Sequence, residues 1–322
     1  GVVGTTSTTD LTEAGIVKAL KGAKKASKYG NKNEIPDFSP LANAPISQLN
    51  RPIGNRNSIK DLLELLKRAE TDLLNSDEAI VSVPYNALSE SYVERIYINS
   101  SGAFRHISNT QSSIYLYAKA EEKGRKPRSS GAIRLAHSLD QLDITGCIDE
   151  CSNKTLSHLN YSAVETGKYL VCFTPEAFLD LIYAFGSIFN ARSVIDGVSL
   201  SSKDSLGKPI ALDNLTIYDN PLHSKNIGAS PFDGEGTPTG KLCLVSNGIL
   251  ENFIHSEYTA RQFDVQPTGH AGIGSKVSVG LDWLEISRGD SVNTNLNNES
   301  LNHIEYKDKF ILIESLSAIH AG

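Results

Sequence analysis

The period of the apolar residues changes between residues 58 and 120, and this change limits the fold classes open to the chain. The segment "SIKDLLELLKRAETDLL" places its apolar residues on one helical stripe, with Ser58 as the candidate N-cap. That stripe consists of Ile59, Leu62, Leu63, Leu66, Ala69 and Leu73. From residue 78 to 120 apolar and polar residues alternate around a Ser-Ser-Gly break, which is typical of antiparallel strands. Helix and strands together predict an α+β layer.

Three further helices are predicted. Asp10 and Glu13 have capping-box spacing at a helix start. A helix is expected across residues 141–158, with Ile144, Cys147, Ile148 and Cys151 on one face. After "YLVCF", which is expected to be a buried strand, Thr174 caps a helix with Pro175 at its first position. Its apolar residues cover so much of its surface that we expect this helix to be well buried; they are Ala177, Phe178, Leu181, Ile182 and Phe185.

Short strands and turns dominate from residue 193 onward, while residues 30–57 form a long connection rich in Asn, Pro and Gly. Asn247-Gly248 indicates a hairpin with a type I′ turn. The predicted class is α+β, with the boundary near residue 165. An N-terminal two-layer domain of antiparallel strands with helices spans 1–165, and a mainly β C-terminal domain spans 166–322.

Composition restricts the functional class. The chain of 322 residues carries a net charge of −6, and its basic stretches are short, so direct DNA binding is not expected. Four cysteines make no disulfide framework in a chain of this length. Gly1 is followed by no signal peptide and no segment could span a membrane, so a cytoplasmic protein is expected. There is no methionine, which either an unusual composition or missing segments of the natural chain would explain.

Metal and nucleophile motifs are absent from the sequence. No two of the eight histidines are one helical turn apart, the spacing typical of a catalytic zinc site. Cys147 and Cys151 do have that spacing, but both lie on an apolar face and are expected to be buried thiols. Cys172 and Cys243 are expected to be small core residues of strands. No G-x-S-x-G, P-loop or G-x-G-x-x-G motif is present.

The stretch "SPFDGEGTPTG" at 230–240 could hold an ion, grip a backbone or turn the chain. Asp233 and Glu235 resemble the start of a calcium loop, but the later ligands are missing. Gly234 and Gly236 can adopt positive φ and allow close backbone approach. A structured turn is the favoured interpretation, and a clamp for a backbone or ligand is the alternative.

This stretch carries a family resemblance. "SPFDGEGTPT", followed by "SNGIL", "YTARQF" and "PTGHAG" in that order, resembles the TldD/PmbA family. Weaker likeness in "DSLGKPI", "VETGKYLVCFTPEA", "YINSSGAFR" and "TTSTTDL" covers nearly the whole chain. Members of the family run longer at both ends, and "LSAIHAG" matches the start of the family's last β segment. The resemblance therefore implies that the chain is incomplete.

The resemblance implies a role in a peptidase complex. In the TldD branch a helix with H-E-x-x-x-H binds the catalytic metal, expected to be zinc, whereas the PmbA (TldE) branch lacks this motif and pairs with TldD. Leu181, Ile182, Tyr183 and Phe185 stand in this chain where those ligands would cluster, and apolar side chains cannot bind a divalent ion. The chain thus resembles PmbA, with no metal site of its own and inactive without a TldD-type partner.

The resemblance also implies that both subunits handle unfolded or leader peptides, with an extended peptide held like an added strand. The signature positions are candidates for the peptide groove or the subunit contact, or they hold the hairpins of the β domain together. They are Phe232, Asp233, Gly236, Thr237, Thr268, Gly269 and His270.

Two other functions stay open. One is a homodimeric protein that binds a peptide or a regulatory partner without chemistry, in line with the family's older label of modulator of DNA gyrase. The other is an independent hydrolase that draws metal ligands from distant segments, such as Cys243, His255 and His270.

Overall fold

The computed structural model describes residues 2–30, 37–51, 53–54, 56–273, 276–288, 310–316 and 319. The chain divides into two compact units. The central unit comprises residues 49–95 and 106–167, and the larger unit comprises residues 1–48, 96–105 and 168–322.

The central unit is a three-stranded sheet with two helices. Its elements are α2 (Ile59–Leu74), β1 (Ile80–Ile98), β2 (Phe104–Ala120), β3 (Arg128–Ala136) and α3 (Ile144–Ser157). The strand order is β1-β2-β3, and β2 pairs antiparallel with β3 so that Tyr115 lies opposite Ile133. The distal ends of β1 and β2, joined by a turn with Gly102 at φ +87°, belong to the larger unit.

Alternation along β2 sends one set of its side chains into the core, because successive residues of a strand face opposite sides. Ile114, Leu116 and Ala118 are each 0% exposed. They belong to one hydrophobic cluster with residues of both helices, including Leu73, Cys147 and Cys151. The predicted strands and the predicted burial of these two thiols are confirmed.

Both helices of the central unit begin at a side-chain cap. The Ser58 hydroxyl accepts the N–H of Asp61 at 3.1 Å, as predicted for α2. Only the C-terminal half of the α2 stripe packs closely, since Ala69 and Leu73 are buried whereas Ile59 is 84% exposed. The helix predicted at 141–158 begins at Ile144 and has Asp143 as its N-cap.

The larger unit contains four helices and eight short strands among the residues described. The helices are α1 (Glu13–Ala26), α4 (Pro175–Ala184), α5 (Ala191–Ile195) and α6 (Glu257–Phe263). The strands are β4 (Leu170–Phe173), β5 (Leu215–Asp219), β6 (Leu242–Ser246), β7 (Ile249–Leu250), β8 (Ala271–Gly272), β9 (Ser278–Val279), β10 (Leu284–Arg288) and β11 (Phe310–Ile313).

Three small sheets organise these strands. An antiparallel sheet runs in the order β10-β5-β6-β7, β8 pairs antiparallel with β9, and β4 pairs parallel with β11. The four-stranded sheet contributes Leu244 and Leu250 to a core that also contains Phe189, Phe253 and Ile254. The α+β class, with a mainly β C-terminal part, is confirmed.

The Asn247-Gly248 hairpin is also confirmed. Both residues have positive φ, 46° and 79°, as a type I′ turn requires, and they connect β6 to β7. A Cβ on Gly248 would lie 2.5 Å from the carbonyl oxygen of Leu212, so this position needs glycine for space as well as for conformation.

Several expectations for the larger unit are wrong. The cap of α1 is Thr12, whose hydroxyl accepts the N–H of Gly15, and the Asp10 carboxylate instead accepts the N–H and O–H of Thr12. The spacing was correct for a capping box, but the helix begins two residues later than expected. Asp10 holds the cap in place rather than serving as one.

Strand β4 is present but is not buried. Leu170, Val171 and Phe173 are exposed, and Cys172, like Cys243, is only partly buried rather than part of the core. The apolar run indicated a strand correctly, but β4 pairs only with β11 among the strands described. A strand in a two-stranded sheet has less cover than a strand inside a large sheet, and its side chains remain accessible.

Helix α4 has the predicted Thr174 cap with Pro175 at its start. It is not well buried, however, because only Ala177 is buried, while Tyr183 and Phe185 are 44% and 49% exposed. The helix contacts β4 and the 3-10 turn Gly186–Phe189 that follows it. Leu179 and Ile182 pack against the core of the larger unit but are only partly buried.

The predicted domains, 1–165 and 166–322, differ from the two units in where they place residues 1–48, 96–105 and 166–167. The long connection predicted at 30–57 is described only in part, and most of the predicted β segment at "LSAIHAG" lies outside the described residues. No helix in the described part of the chain is long and apolar enough to cross a membrane.

Candidate functional site

The Asp233 carboxylate organises the loop that contains the Asp-Gly-Glu-Gly cluster. Its Oδ1 accepts the N–H groups of Glu235 at 2.8 Å and Thr237 at 3.0 Å, and its Oδ2 accepts the N–H of Ala271 at 2.9 Å. Burial raises the pKa of Asp233, and the three hydrogen bonds oppose that shift. The loop is therefore a turn closed around a carboxylate and tied to β8, as the favoured interpretation predicted.

Two signature glycines are required where segments approach closely. Gly236 has φ +77°, and a Cβ there would lie 2.5 Å from the Tyr97 ring. Gly269 has φ +76°, and a Cβ there would lie 2.4 Å from the carbonyl oxygen of Pro238. Any other residue would be strained at both positions by its backbone and by its contacts.

Phe232 and Thr237 flank the turn and are both 0% exposed. Phe232 forms an antiparallel bridge with Pro238, and the Thr237 hydroxyl donates to Ser39 Oγ at 2.8 Å. The buried Arg105 donates from Nε to the carbonyl oxygen of Gly236 at 3.2 Å. Distant segments of the larger unit thus meet at this turn.

His270 lies in a buried polar cluster beside the turn. Its side chain is 0% exposed, its Nδ1 is hydrogen-bonded to Thr268 Oγ1 at 2.9 Å, and its Nε2 lies 3.4 Å from Asp219 Oδ2. Thr268 Oγ1 also accepts the backbone N–H of His255 at 2.7 Å. Burial lowers the pKa of His255 to about 4, so this imidazole is neutral near pH 7.

The structure brings all seven candidate residues into one part of the larger unit, where segment 232–237 packs against segment 268–271. Their side-chain contacts are internal, which is the arrangement expected of residues that hold hairpins together. The assignment of these residues to a peptide groove or a subunit contact stays a prediction.

The accessible acid of the motif is Glu235, which the sequence did not single out beyond the calcium comparison. It lines a cleft of about 640 Å³ in the larger unit, together with Arg192, Asp196, Glu257 and Tyr258. A sequence signal for this contact was available in Ser256 and Thr259, which have the spacing of a capping box at the start of α6. The capping box does not use the N–H of Glu257, which therefore needs another acceptor. Glu235 Oε2 accepts that N–H at 2.7 Å.

Two of the three carboxylates that line the cleft form ion pairs. Arg192 Nε lies 2.8 Å from Asp196 Oδ2, and Arg261 Nε lies 2.6 Å from Glu257 Oε1. Glu235 has no ion pair of this kind with any described residue. Burial raises its pKa to about 7, and the charges of Asp233 and Glu257 add to that shift.

Helix α4 and its C-cap residue Phe185 place hydrocarbon and phenol groups at the four positions compared with metal ligands. Leu181 and Ile182 are half-buried, Phe185 is exposed, and the Tyr183 hydroxyl donates to the carbonyl oxygen of Asp282 at 3.0 Å. Burial raises the pKa of Tyr183. These side chains do not fit a divalent cation, which prefers carboxylate, imidazole or thiolate ligands.

The ligand set of the independent hydrolase is only partly brought together. His255 and His270 share Thr268 as a hydrogen-bond partner, whereas the Cys243 thiol contacts the carbonyl oxygen of Val245 on β6. Across the described residues, no group of three His, Cys, Asp or Glu side chains could hold a metal ion.

Two protein-family models match the sequence, one in its central part and one in its C-terminal part. Residues 54–159 match the model described as the PmbA/TldA metallopeptidase central domain, and residues 166–321 match that of the PmbA/TldA metallopeptidase C-terminal domain.

Curated relatives and solved structures agree with this match. The chain is 30% identical over 279 residues to metalloprotease PmbA of Escherichia coli O157:H7, and 26% identical over 280 residues to a PmbA homologue of Haemophilus influenzae. Each match covers 84% of this chain and 60% of the relative, so the chain spans less than two thirds of their length.

Two solved structures share the fold. One is from Thermotoga maritima and is named for modulation of a DNA gyrase; it has a TM-score of 0.82 at 24% identity and covers 100% of this chain and 71% of its own. The other is TldE from Thermococcus kodakarensis, with a TM-score of 0.76 at 22% identity, covering 94% of this chain and 67% of its own.

Proposed function

Because this chain belongs to the PmbA/TldD family, we propose that it is a PmbA/TldE-type subunit of a metallopeptidase complex that degrades unfolded peptides or trims leader peptides. In this proposal a TldD-type partner supplies the divalent metal, expected to be zinc, and this chain supplies substrate grip and shape. By itself the chain is inactive as a peptidase. We propose a cytoplasmic location for the complex, which cell fractionation would test.

The composition of α4 is the observation that carries the proposal. The helix follows the strand after the Thr-Gly-Lys-Tyr segment, at the place where the TldD branch carries H-E-x-x-x-H. Leu181 and Ile182 offer only hydrocarbon, and the Tyr183 hydroxyl is engaged with a backbone carbonyl. None of these three side chains could activate a metal-bound water as a general base.

The signature residues fit a supporting role in this proposal. Asp233, Gly236 and Gly269 fix the backbone where segments 232–237 and 268–271 meet. We propose that these residues shape the groove or the subunit contact through the backbone they hold, because the Asp233 carboxylate is engaged inside the unit and the two glycines have no side chain.

The test is reconstitution with a TldD-type subunit from the same genome. The full-length protein, the partner and their mixture are each incubated with an unfolded peptide, and cleavage is followed by mass spectrometry. We expect cleavage by the mixture and none by this protein alone. The matched control replaces both histidines of the partner's H-E-x-x-x-H by alanine, which should abolish cleavage without preventing association.

Two outcomes would contradict the proposal. Chelator-sensitive cleavage by this protein alone, after contaminants are removed, would favour the independent hydrolase. A protein that never recruits the TldD-type chain in a pull-down, yet forms a stable homodimer by size-exclusion chromatography, would favour the non-catalytic binding protein.

A further inference from the structure

The cleft beside Glu235 has the size and composition of a binding site. Its volume of about 640 Å³ lies within the range of small-ligand sites. Val3, Val277, Val279 and Tyr258 give it apolar wall, and charged groups are confined to a few positions. All of these residues belong to the larger unit.

Among the described residues, the ion pairs at the cleft leave one acid, Glu235, and one base, Lys276, without a partner. Asp196, Glu235 and Glu257 contribute carboxyl groups, whereas Arg192 and Lys276 contribute the basic groups. Arg192 is paired with Asp196, and Glu257 is paired with Arg261. Glu235 is the carboxyl group left without an ion pair among the described residues that line the cleft, so its charged form would be stabilised by a cation that enters.

The geometry of Glu235 limits the kind of cation. Its Oε2 already accepts the N–H of Glu257, and Oε1 has no hydrogen bond to any described residue. A guanidinium binds a carboxylate best through both oxygens at once, whereas an ammonium needs only one. One available oxygen therefore favours an ammonium group, with the apolar wall beside it for the attached chain.

We propose that this cleft binds the primary ammonium group of a peptide, with Glu235 as its counter-ion and the apolar wall in contact with the adjoining residues. The ammonium comes from a peptide N-terminus or a lysine side chain. This proposal deepens the proposed function, on which it rests for the class of ligand.

The environment of Glu235 adds a pH dependence. Asp233 and Glu257 face it from its own loop and from α6, Arg261 acts on it from α6, and Arg192, Asp196 and Lys276 line the rest of the cleft. Because burial and the two acids raise the pKa of Glu235 to about 7, a bound ammonium must displace a proton below that pH. Affinity for a lysine ammonium is therefore expected to rise between pH 6 and pH 8. Affinity for an N-terminal ammonium is expected to rise only from pH 6 to about pH 7.5, because that group loses its own proton with a pKa of about 7.7–8.0.

The test uses the full-length protein without a TldD-type partner and measures binding by fluorescence anisotropy. Three unstructured hexapeptides carry a C-terminal dye. The first has a free N-terminus and no lysine, the second has an acetylated N-terminus and one internal lysine, and the third has an acetylated N-terminus and no lysine. We expect the third to bind about tenfold more weakly than the better of the other two, as expected for loss of one charge-assisted hydrogen bond.

Glu235→Gln supplies the matched variant, because its amide oxygen can still accept the N–H of Glu257 while the charge is lost. We expect it to bind all three peptides as weakly as wild type binds the blocked one, with no rise in affinity between pH 6 and pH 8. Glu251→Gln, at an exposed carboxylate outside the cleft, should behave like wild type. Circular dichroism checks that both variants are folded.

Each remaining outcome is decisive. A preference for the first peptide assigns the site to an N-terminus, and a preference for the second assigns it to lysine. Equal affinity for all three peptides, an unchanged affinity in Glu235→Gln, or no binding at millimolar peptide would overturn the proposal. Because cleavage is not measured, failure of the metallopeptidase role and failure of this site can be told apart.

Discussion

Asp233 shows how much structure one buried side chain can specify. Three backbone N–H groups converge on its two oxygens, and one of them comes from a strand 38 positions along the chain. A carboxylate is suited to this role because it is an acceptor only, with lone pairs for several donors. The sequence could indicate the turn through its glycines, but the long-range partner at Ala271 has no local signal.

Asp233→Asn should destabilise the protein markedly. The amide keeps one oxygen acceptor and directs an NH₂ donor toward a backbone N–H, leaving at least one buried donor without a partner. We expect the free energy of unfolding to fall by about 2–3 kcal/mol, measured by urea denaturation at pH 7. Asp72→Asn at an exposed position of α2 is the control and should change it by less than about 0.5 kcal/mol. Equal stabilities for the two variants would contradict this account.

His255 should make stability depend on pH. Its folded-state pKa, lowered by burial to about 4 from 6.5, means that the unfolded chain binds a proton first as the pH falls. Its contribution is thus intact above pH 6.5 and is lost toward pH 4, by up to about 3 kcal/mol. His255→Phe should remove that loss, seen as a smaller difference between unfolding free energies at pH 6.5 and pH 4.5.

Glu235 opposes this trend, because its raised pKa favours folding at low pH and its contribution is lost as the pH rises from 4.5 toward 7. The wild-type profile therefore contains both effects, and the histidine effect must be taken from the difference between variants. His158→Gln, at an exposed position after α3, is the control and should keep the wild-type profile. A His255→Phe profile parallel to wild type would show that His255 does not titrate as described.

At the scale of elements, sequence patterns predicted which helices, strands and turns form better than they predicted how deeply those elements are buried. The stripe of α2 and the Asn247-Gly248 turn were predicted because their signals are helical periodicity and positive φ, which are properties of neighbouring residues. The burial of β4 and α4 was predicted wrongly because an apolar run does not reveal how many elements cover it. Likewise, the cap of α1 depended on Thr12 and not only on the spacing of acids.

Gly236→Ala tests the turn as an element. The residue has φ +77°, and the new Cβ would lie 2.5 Å from the Tyr97 ring, so backbone strain and a steric clash add. We expect a loss of about 2 kcal/mol or more in the free energy of unfolding. Gly240→Ala, four residues along the same loop with nothing within 4 Å, is the matched control and should be nearly neutral. Similar losses in both variants would remove the argument for a required glycine.

The whole molecule interleaves its two units along the sequence. The larger unit takes residues 1–48, 96–105 and 168–322, and the central unit takes what lies between. Sequence patterns placed one boundary near 165, close to residue 168, where the chain re-enters the larger unit. They did not predict the other crossings, which are the points near residues 48, 95 and 105 where the chain passes from one unit to the other. Those crossings depend on contacts such as Arg105 with Gly236 and Thr237 with Ser39, which join residues more than 130 positions apart.

Because the chain passes between the units several times, we expect that cleaving the backbone once will not separate the two products. Residues 160–168 are exposed throughout, so a site for a specific protease inserted there should be cleaved in the native state. Because both products contribute to the larger unit, we expect them to elute together in size-exclusion chromatography and to separate only in denaturant. Arg105→Ala should weaken their association by removing its hydrogen bond to Gly236 of the second product, whereas its bonds to Leu41 and Ala44 lie within the first product. Separation of the wild-type products in native buffer would contradict the interleaved arrangement.

The interleaved units also set an order for folding on the ribosome. Every residue of the central unit has been translated once synthesis reaches residue 167, whereas most of the larger unit is still to come. The tip of the β1–β2 hairpin must therefore wait, with Arg105 Nε lacking its acceptor on Gly236 and the Tyr97 ring lacking its contact with Gly236, until the turn around Asp233 has left the exit tunnel. During that interval the nascent chain presents apolar and hydrogen-bonding surface that a chaperone could shield.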